Sequence, residues 1–216
     1  MIALRSQDAK FLEKLAYSPY TRKVAPRPAV FLDRDGTLTE EVGYVNHPKR
    51  LRLQPRSAEA VRRLNNAGIA VVVVTNQAGI ARGYFSEDVL AAVHAALVSQ
   101  LKDEGAYLDG IYACTHHPTA GEPPYRMVCD CRKPRPGLLL RAAVELGLDL
   151  SRSTLVGDRA SDVVAGRAAG TRSVLVLTGY GLGEWEYQRS SFPVKPDHVA
   201  EDLLDAVDWV LGGQRP

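Results

Sequence analysis

From Ala29 onward the chain alternates short apolar runs with longer amphipathic stretches. "AVFLD" (29–33) is a brief apolar run that ends in a carboxylate and reads as a strand. "SAEAVRRLNNAG" (57–68) has helical spacing, with Ser57 as N-cap and Gly68 just past the end. "IAVVVVT" (69–75) is β-branched and unbroken, the pattern of a strand covered on both faces. "SEDVLAAVHAALVSQLKDEG" (86–105) predicts a second helix, capped by Ser86 and stopped by Gly105. A strand at "LDGIYAC" (108–114), a helix at "GLLLRAAVELG" (137–147), a strand at "STLVGD" (153–158) and a helix at "SDVVAGRAAG" (161–170) follow. "SVLVLTG" (173–179) is a further strand, and "DHVAEDLLDAVDWVLGG" (197–213) gives a short strand and a closing helix. Parallel strands need crossover helices, so this alternation predicts a three-layer α/β/α, Rossmann-like parallel sheet. Ligands on such sheets bind at the carboxyl ends of the strands, beside the point where strand order reverses.

Two stretches stand outside the pattern. Residues 1–28 read as an N-terminal arm, with a short helix over Asp8–Tyr17 before Pro19, Pro26 and Pro28 break the chain. Residues 29–216 then form the domain proper. Gly179–Pro196, which holds Trp185 and Tyr187, reads as an irregular surface loop.

The length of 216 residues suits one well-buried domain. With 27 basic and 25 acidic residues the net charge is only +2, so bulk electrostatics make no case for nucleic acid or a membrane surface. No apolar run reaches transmembrane length, and the first ten residues lack the apolar core of a signal peptide. The expectation is a monomeric cytoplasmic protein acting on a small molecule, with no nucleic-acid or membrane partner.

The chemistry-bearing residues fall at strand ends. "FLDRDGTLT" places Asp33 at the end of the first strand and Asp35 two residues on, where Gly36 lets the chain turn away. A rigidly held carboxylate such as Asp33 can attack phosphorus, and Asp35 can serve the leaving oxygen as general acid and then water as base. Two carboxylates repel a phosphate dianion, so a cation is required. Asp33, Asp158 from "LVGDRASD" and the backbone carbonyl of Asp35 form a hard oxygen set suited to Mg²⁺. The Thr75 hydroxyl, the N–H groups after it and the ammonium of Lys133 can hold phosphate oxygens.

All three cysteines lie in "CTHHPTAGEPPYRMVCDCRKPRPG" (114–137). Cys114 and His116 form one close pair, Cys129 and Cys131 another, a donor set that suits tetrahedral Zn²⁺ with no open position. His117 competes with His116, and the matched pairing favours His116. A Cys-x-x-Cys redox pattern is absent, and Arg126, Arg132, Lys133 and Arg135 come without the aromatic series of a nucleic-acid module. Between Asp35 and Thr75, and again between Asn76 and Lys133, there is no room for a helical lid. The mouth must be built from short loops, Glu41–Pro48 and the cysteine segment.

"DRDGT", "TNQ", "RKP" and "GDRASD", in this order, resemble the haloacid dehalogenase superfamily of aspartyl-phosphate phosphatases. The likeness runs from about Ala29 to about Leu211. It implies a haloacid dehalogenase-like fold with no large cap, Mg²⁺ dependence, Asp33 as nucleophile and Asp35 as acid/base, with Thr75 and Lys133 steadying the phosphate. It also implies Mg²⁺ at Asp33, Asp35 and Asp158, with Asp162 behind them. "GYV", "TNQAGIARG" and "CTHHP…CDCRKPRPG" are similar to the heptose-bisphosphate phosphatase branch. That branch implies structural zinc at Cys114, His116, Cys129 and Cys131. It further implies substrate contacts from Arg34, Glu41, Val42, Gly43, Tyr44, Asn76, Gln77, Ala78, Arg132 and Arg159. The histidinol-phosphate branch shares the catalytic pattern. A second phosphate calls for cations at the mouth, as Arg82, Arg132, Arg135 and Arg159 provide, whereas the ammonium of histidinol phosphate calls for carboxylates such as Glu40, Glu41 and Asp130.

Overall fold

The unbroken valines of residues 71–74 become an inner strand of a six-stranded sheet, buried on both faces, as a run with no polar face must. The computed structural model describes residues 25–212. Its elements are β1 (Ala29–Leu32), α1 (Ser57–Asn66), β2 (Ala70–Asn76), α2 (Glu87–Asp103), β3 (Gly110–Cys114) and α3 (Gly137–Leu146). They continue through β4 (Thr154–Gly157), α4 (Ala160–Ala169), β5 (Arg172–Val176), β6 (His198–Ala200) and α5 (Leu203–Gly212). The strand order is β3-β2-β1-β4-β5-β6 and every pairing is parallel. Leu32 pairs with Val73 on one side and Val156 on the other, so the ends of β1, β2 and β4 emerge side by side.

Alternation along each strand splits the core in two. Val30, Leu32, Val71, Val73 and Val156 face α1, α2 and α5, meeting Leu64, Leu97, Leu101 and Val207. Ala29, Phe31, Val72, Val74 and Leu155 face α3 and α4, meeting Leu139, Ala142 and Ala165. The period-two pattern of the strands therefore produces the three layers that the sequence predicts.

Some local expectations are corrected. Ser57 is not the N-cap of α1; it is the first helical residue, and its buried hydroxyl has no hydrogen-bond partner. Arg56 precedes it in the left-handed region, at φ 62°, and its guanidinium pairs with Asp202 beside α5. Arg56 thus stands at the N-cap position without a side-chain capping bond. Ser86 does cap α2, accepting from the Val89 N–H. The stretch after Gly179 is not irregular throughout: a helical turn at Gly181–Gly183, a π turn at Glu184–Gln188 and a 3-10 turn at Arg189–Ser191 follow one another. Such turns are too short to leave a hydrophobic period in sequence. The helix expected at Asp8–Tyr17 lies outside the described residues. Among the described residues no helix is long and apolar enough to cross a membrane.

Candidate active site

Asp33 leaves the end of β1 with its backbone N–H donated to Val156 O (2.9 Å), which fixes the carboxylate beside the end of β4. Asp158 and Asp162 come from the β4–α4 connection. Carboxylate oxygens of Asp33, Asp158 and Asp162 all lie within 4.8 Å of one another. The Lys133 ammonium enters the same cluster, 2.8 Å from Asp33 Oδ1 and 2.6 Å from Asp162 Oδ1, and donates to Val74 O at 2.8 Å. Its position is set by an amide clamp: Asn76 Nδ2 donates to Lys133 O and Lys133 N donates to Asn76 Oδ1, each at 3.0 Å.

Two glycines bring backbone against Asp158. Gly36 (φ 81°) and Gly179 (φ 56°) approach so closely that a Cβ on either would lie 2.1 or 2.2 Å from Asp158 Oδ2. The Tyr180 N–H donates to that same oxygen at 2.8 Å. The other oxygen, Asp158 Oδ1, is buried with no hydrogen-bond partner.

Electrostatics make this an unbalanced site. Burial, then Asp33 and Asp162, push the Asp158 carboxyl up to about 8. Burial raises Asp162 to about 6, with Lys133 opposing. Burial alone would lower Lys133, but Asp162 and Asp33 hold it well above the usual ammonium range. Three carboxylates against one ammonium leave net negative charge in a dry site. The orphaned Asp158 Oδ1 and this excess fit a hard divalent cation.

Asp35 points elsewhere. Arg34 grips it through two bonds, Nε to Oδ1 at 3.0 Å and Nη2 to Oδ2 at 2.8 Å, and Gln77 Nε2 donates to Oδ2 at 2.8 Å. Gln77 Nε2 also lies 2.8 Å from Thr75 Oγ1. The Asp35 side chain is therefore outside the carboxylate cluster, which leaves its backbone carbonyl as the group that could reach a cation. Asp162, placed behind the metal set by the sequence, lies within the cluster itself.

A cavity of about 420 Å³ opens on these groups. Of the expected contacts, Glu41, Gly43, Tyr44, Asn76, Gln77, Ala78, Arg132 and Arg159 line it, together with Asp33, Asp35, Thr75 and Lys133. Two do not. The Arg34 side chain is fully buried and spent on Asp35, and Val42 packs against the core on the α1 side. Burial holds the Glu41 carboxyl above its usual range, against a 2.6 Å bond from the Gly43 N–H. Ser161 and Tyr180 line the cavity without having been singled out in the sequence. Tyr180 follows the end of β5, so its place at a strand's carboxyl end was the available signal. The Arg159 guanidinium lies over the Tyr180 ring, 3.8 Å from its centroid.

Beside the cavity, Cys114 at the end of β3 meets Cys129, Cys131 and His116. The sulfurs lie 3.2–3.6 Å apart, and His116 Nδ1 is 3.4 Å from Cys131 Sγ and 3.8 Å from Cys114 Sγ. Sulfurs bound at about 2.3 Å to one tetrahedral zinc would stand roughly 3.8 Å apart, so the set is slightly contracted yet correctly arranged. His117 is turned away, its Nδ1 accepting from the N–H groups of Thr119 (3.2 Å) and Ala120 (2.9 Å). Burial and the neighbouring sulfurs hold the Cys131 thiol well above its usual range, a crowding that a cation would relieve.

The sequence pattern of HAD-hydrolase-like proteins matches residues 130–206. D-glycero-D-manno-heptose-1,7-bisphosphate 7-phosphatase of Thermosynechococcus vestitus is 46% identical over 194 residues, covering 86% of this chain and 96% of that protein. The D-glycero-beta-D-manno-heptose-1,7-bisphosphate 7-phosphatase of Pasteurella multocida is 46% identical over 187 residues, covering 86% and 98%. Among solved structures, the D,D-heptose 1,7-bisphosphate phosphatase of B. bronchiseptica, complexed with magnesium and phosphate, superposes with a TM-score of 0.76 at 33% identity, covering 86% of this chain and 99% of that one. Its fold, its sequence and its relatives agree: the chain belongs to the heptose-bisphosphate phosphatase family of haloacid dehalogenase-like phosphoric monoester hydrolases.

Proposed function

We propose that this phosphatase removes the 7-phosphate of D-glycero-D-manno-heptose 1,7-bisphosphate through an aspartyl-phosphate on Asp33. The observation that carries the reading is the convergence of Asp33, Asp158, Asp162 and Lys133 at adjoining strand ends, opening on a cavity ringed by Arg132 and Arg159.

An Asp33 carboxylate oxygen attacks phosphorus as the ester P–O bond breaks, and Asp35 gives its proton to the departing sugar oxygen. Asp35 then takes a proton from water, which attacks phosphorus, breaks the bond to Asp33 and releases inorganic phosphate. Arg34 and Gln77 aim Asp35 for both transfers. Lys133, Thr75 and the N–H groups after it hold the phosphoryl oxygens. Mg²⁺ held by Asp33, Asp158 and the Asp35 carbonyl, with Asp162 adjoining, would supply the positive charge that lets a dianion enter. Zinc on Cys114, His116, Cys129 and Cys131 would be structural, since four protein donors leave no open position.

Asp33→Asn is expected to abolish turnover while leaving the unfolding midpoint near that of the parent. Normal turnover in that variant removes Asp33 from the covalent role. Glu41 in the cavity wall favours one competing substrate, histidinol phosphate, whose ammonium it could pair. Rates on the two substrates side by side decide between them, with kcat/KM expected to favour the bisphosphate.

A further inference from the structure

Arg34 has one nitrogen left over. Its Nε and Nη2 hold the two oxygens of Asp35, and the planar guanidinium turns its third nitrogen away from that edge. Nη1 is buried and has no hydrogen-bond partner among the described residues. A charged donor left unsatisfied in the interior is costly, and a guanidinium held at one edge only can rock about its grip on Asp35. The packing around Nη1 therefore bears on how firmly Asp35 is aimed.

The helix on that side is α2, whose buried face is made by Leu90, Val93, Leu97 and Leu101. Val93 and Leu97 share one apolar cluster with Leu32 and Leu38, which flank Arg34 along the chain. His94 follows Leu90 by four residues and precedes Leu97 by three, so helical spacing puts it on the same side of α2. Its Nε2 is buried and, like Arg34 Nη1, has no partner. The charge that acts on its ring is that of Arg34. A donor without an acceptor and a potential acceptor without a donor thus occupy the same part of the core. A protonated imidazole would set N–H against N–H and cation against cation. A neutral ring with its proton on Nδ1 leaves Nε2 as an acceptor. Burial and Arg34 both disfavour the charged ring, in keeping with that form. One water between the two atoms would accept from Nη1 and donate to Nε2, which completes both.

We propose that neutral His94 is the acceptor for the third nitrogen of Arg34, through one shared water, and is thereby a positioning residue for Asp35. The proposal rests on the acid/base role given to Asp35 above and carries its support one step outward, from the strand-end turn to α2. His94 touches neither substrate nor metal. It completes the bonding of Arg34, and Arg34 in turn holds both oxygens of the carboxyl that moves the proton. The plain alternative is an imidazole that merely fills space at the edge of the apolar face, in which case its ring nitrogens would not matter to turnover.

The test compares His94→Leu, which keeps the bulk and removes the acceptor, with His94→Gln, whose amide oxygen can take its place. On heptose 1,7-bisphosphate, His94→Leu is expected to lower kcat about tenfold with KM changed less than about twofold. His94→Gln is expected to recover most of that loss, and unfolding midpoints read alongside show that both variants keep the fold. In the parent protein, long-range ¹H–¹⁵N NMR at neutral pH is expected to find the His94 proton on Nδ1. A proton on Nε2, a His94→Leu variant as active as the parent, or the same loss in both variants overturns the proposal. Where His94→Leu does not fold, the tautomer alone decides. Asp35→Asn separates the proposal from the reading beneath it. Normal turnover in Asp35→Asn removes the acid/base role, and the His94 proposal falls with it. An inactive Asp35→Asn beside a fully active His94→Leu overturns the His94 proposal alone.

Discussion

Asp158 is gripped from both sides by backbone, and that grip depends on two residues with no side chain. Gly36→Ala would force a methyl to within bonding range of Asp158 Oδ2 at a φ of 81° that alanine resists. It is expected to cost about 1–3 kcal/mol of stability, read by urea unfolding, and to weaken Mg²⁺ binding in calorimetry. Arg34 illustrates a different dependence. Its guanidinium is wholly buried, and two of its nitrogens hold the two oxygens of Asp35. Lysine cannot reproduce that fork. Arg34→Lys should lower kcat on the order of tenfold to a hundredfold with KM little changed, because it disturbs proton transfer rather than binding. An equal rise in KM would show that Arg34 acts on binding after all. The family resemblance implies Arg34 as a substrate contact. Only the direction of its side chain, set by packing, reveals that it supports one of them.

At the scale of elements, the cysteine segment occupies the place of a lid. It hangs from the end of β3 at Cys114, and it delivers Arg132 and Lys133 just after Cys131. Asn76, at the end of β2, then clamps the Lys133 backbone. On the proposed zinc reading, loss of a donor should therefore reach the active site through Lys133. Cys129→Ser is expected to lower zinc content, lower the unfolding midpoint and cut kcat/KM at least tenfold, while Mg²⁺ affinity at the Asp33–Asp158 cluster changes only a few-fold. Unchanged kinetics in a zinc-free protein would separate the loop from the chemistry. The spacing of the cysteines was legible in sequence, because ligand pairs must be close along the chain. The matched pairing also favoured His116, and the ring that turns toward the sulfurs is that of His116. Tyr180 carried only the signal of standing a few residues past the end of β5, ahead of short turns that have no hydrophobic period.

On the scale of the whole molecule, the sheet and α2 enclose one more group with global consequences. His94 lies against the charge of buried Arg34, and its Nε2 has no partner. Burial first, then Arg34, depress its pKa to about 4 from an unfolded value of 6.5. The folded state thus binds fewer protons between these values, and stability is full above pH 6.5 and lost as pH falls toward 4. Full loss would amount to about 3 kcal/mol, and partial exposure of the ring makes that an upper bound. In His94→Gln the decline of unfolding free energy between pH 7 and pH 4, measured by denaturant titration, should be shallower by up to that amount. An identical slope would show that other groups carry the acid sensitivity.

Periodicity and spacing along the chain specify the alternating elements, the two-sided burial of β2, the aspartates at strand ends and the paired Cys-x-His and Cys-x-Cys positions. Each of these is a local property, written in periodicity or in spacing along the chain. Tertiary structure alone decided that β1 lies between β2 and β4, which brings Asp33, Lys133, Asp158 and Asp162 together from segments far apart in sequence. It also decided that Arg34 faces inward and that Arg56, not Ser57, stands at the N-cap position of α1. These depend on side-chain direction and on contacts between distant elements. Packing and ion pairing select among them after the local pattern has left several choices open.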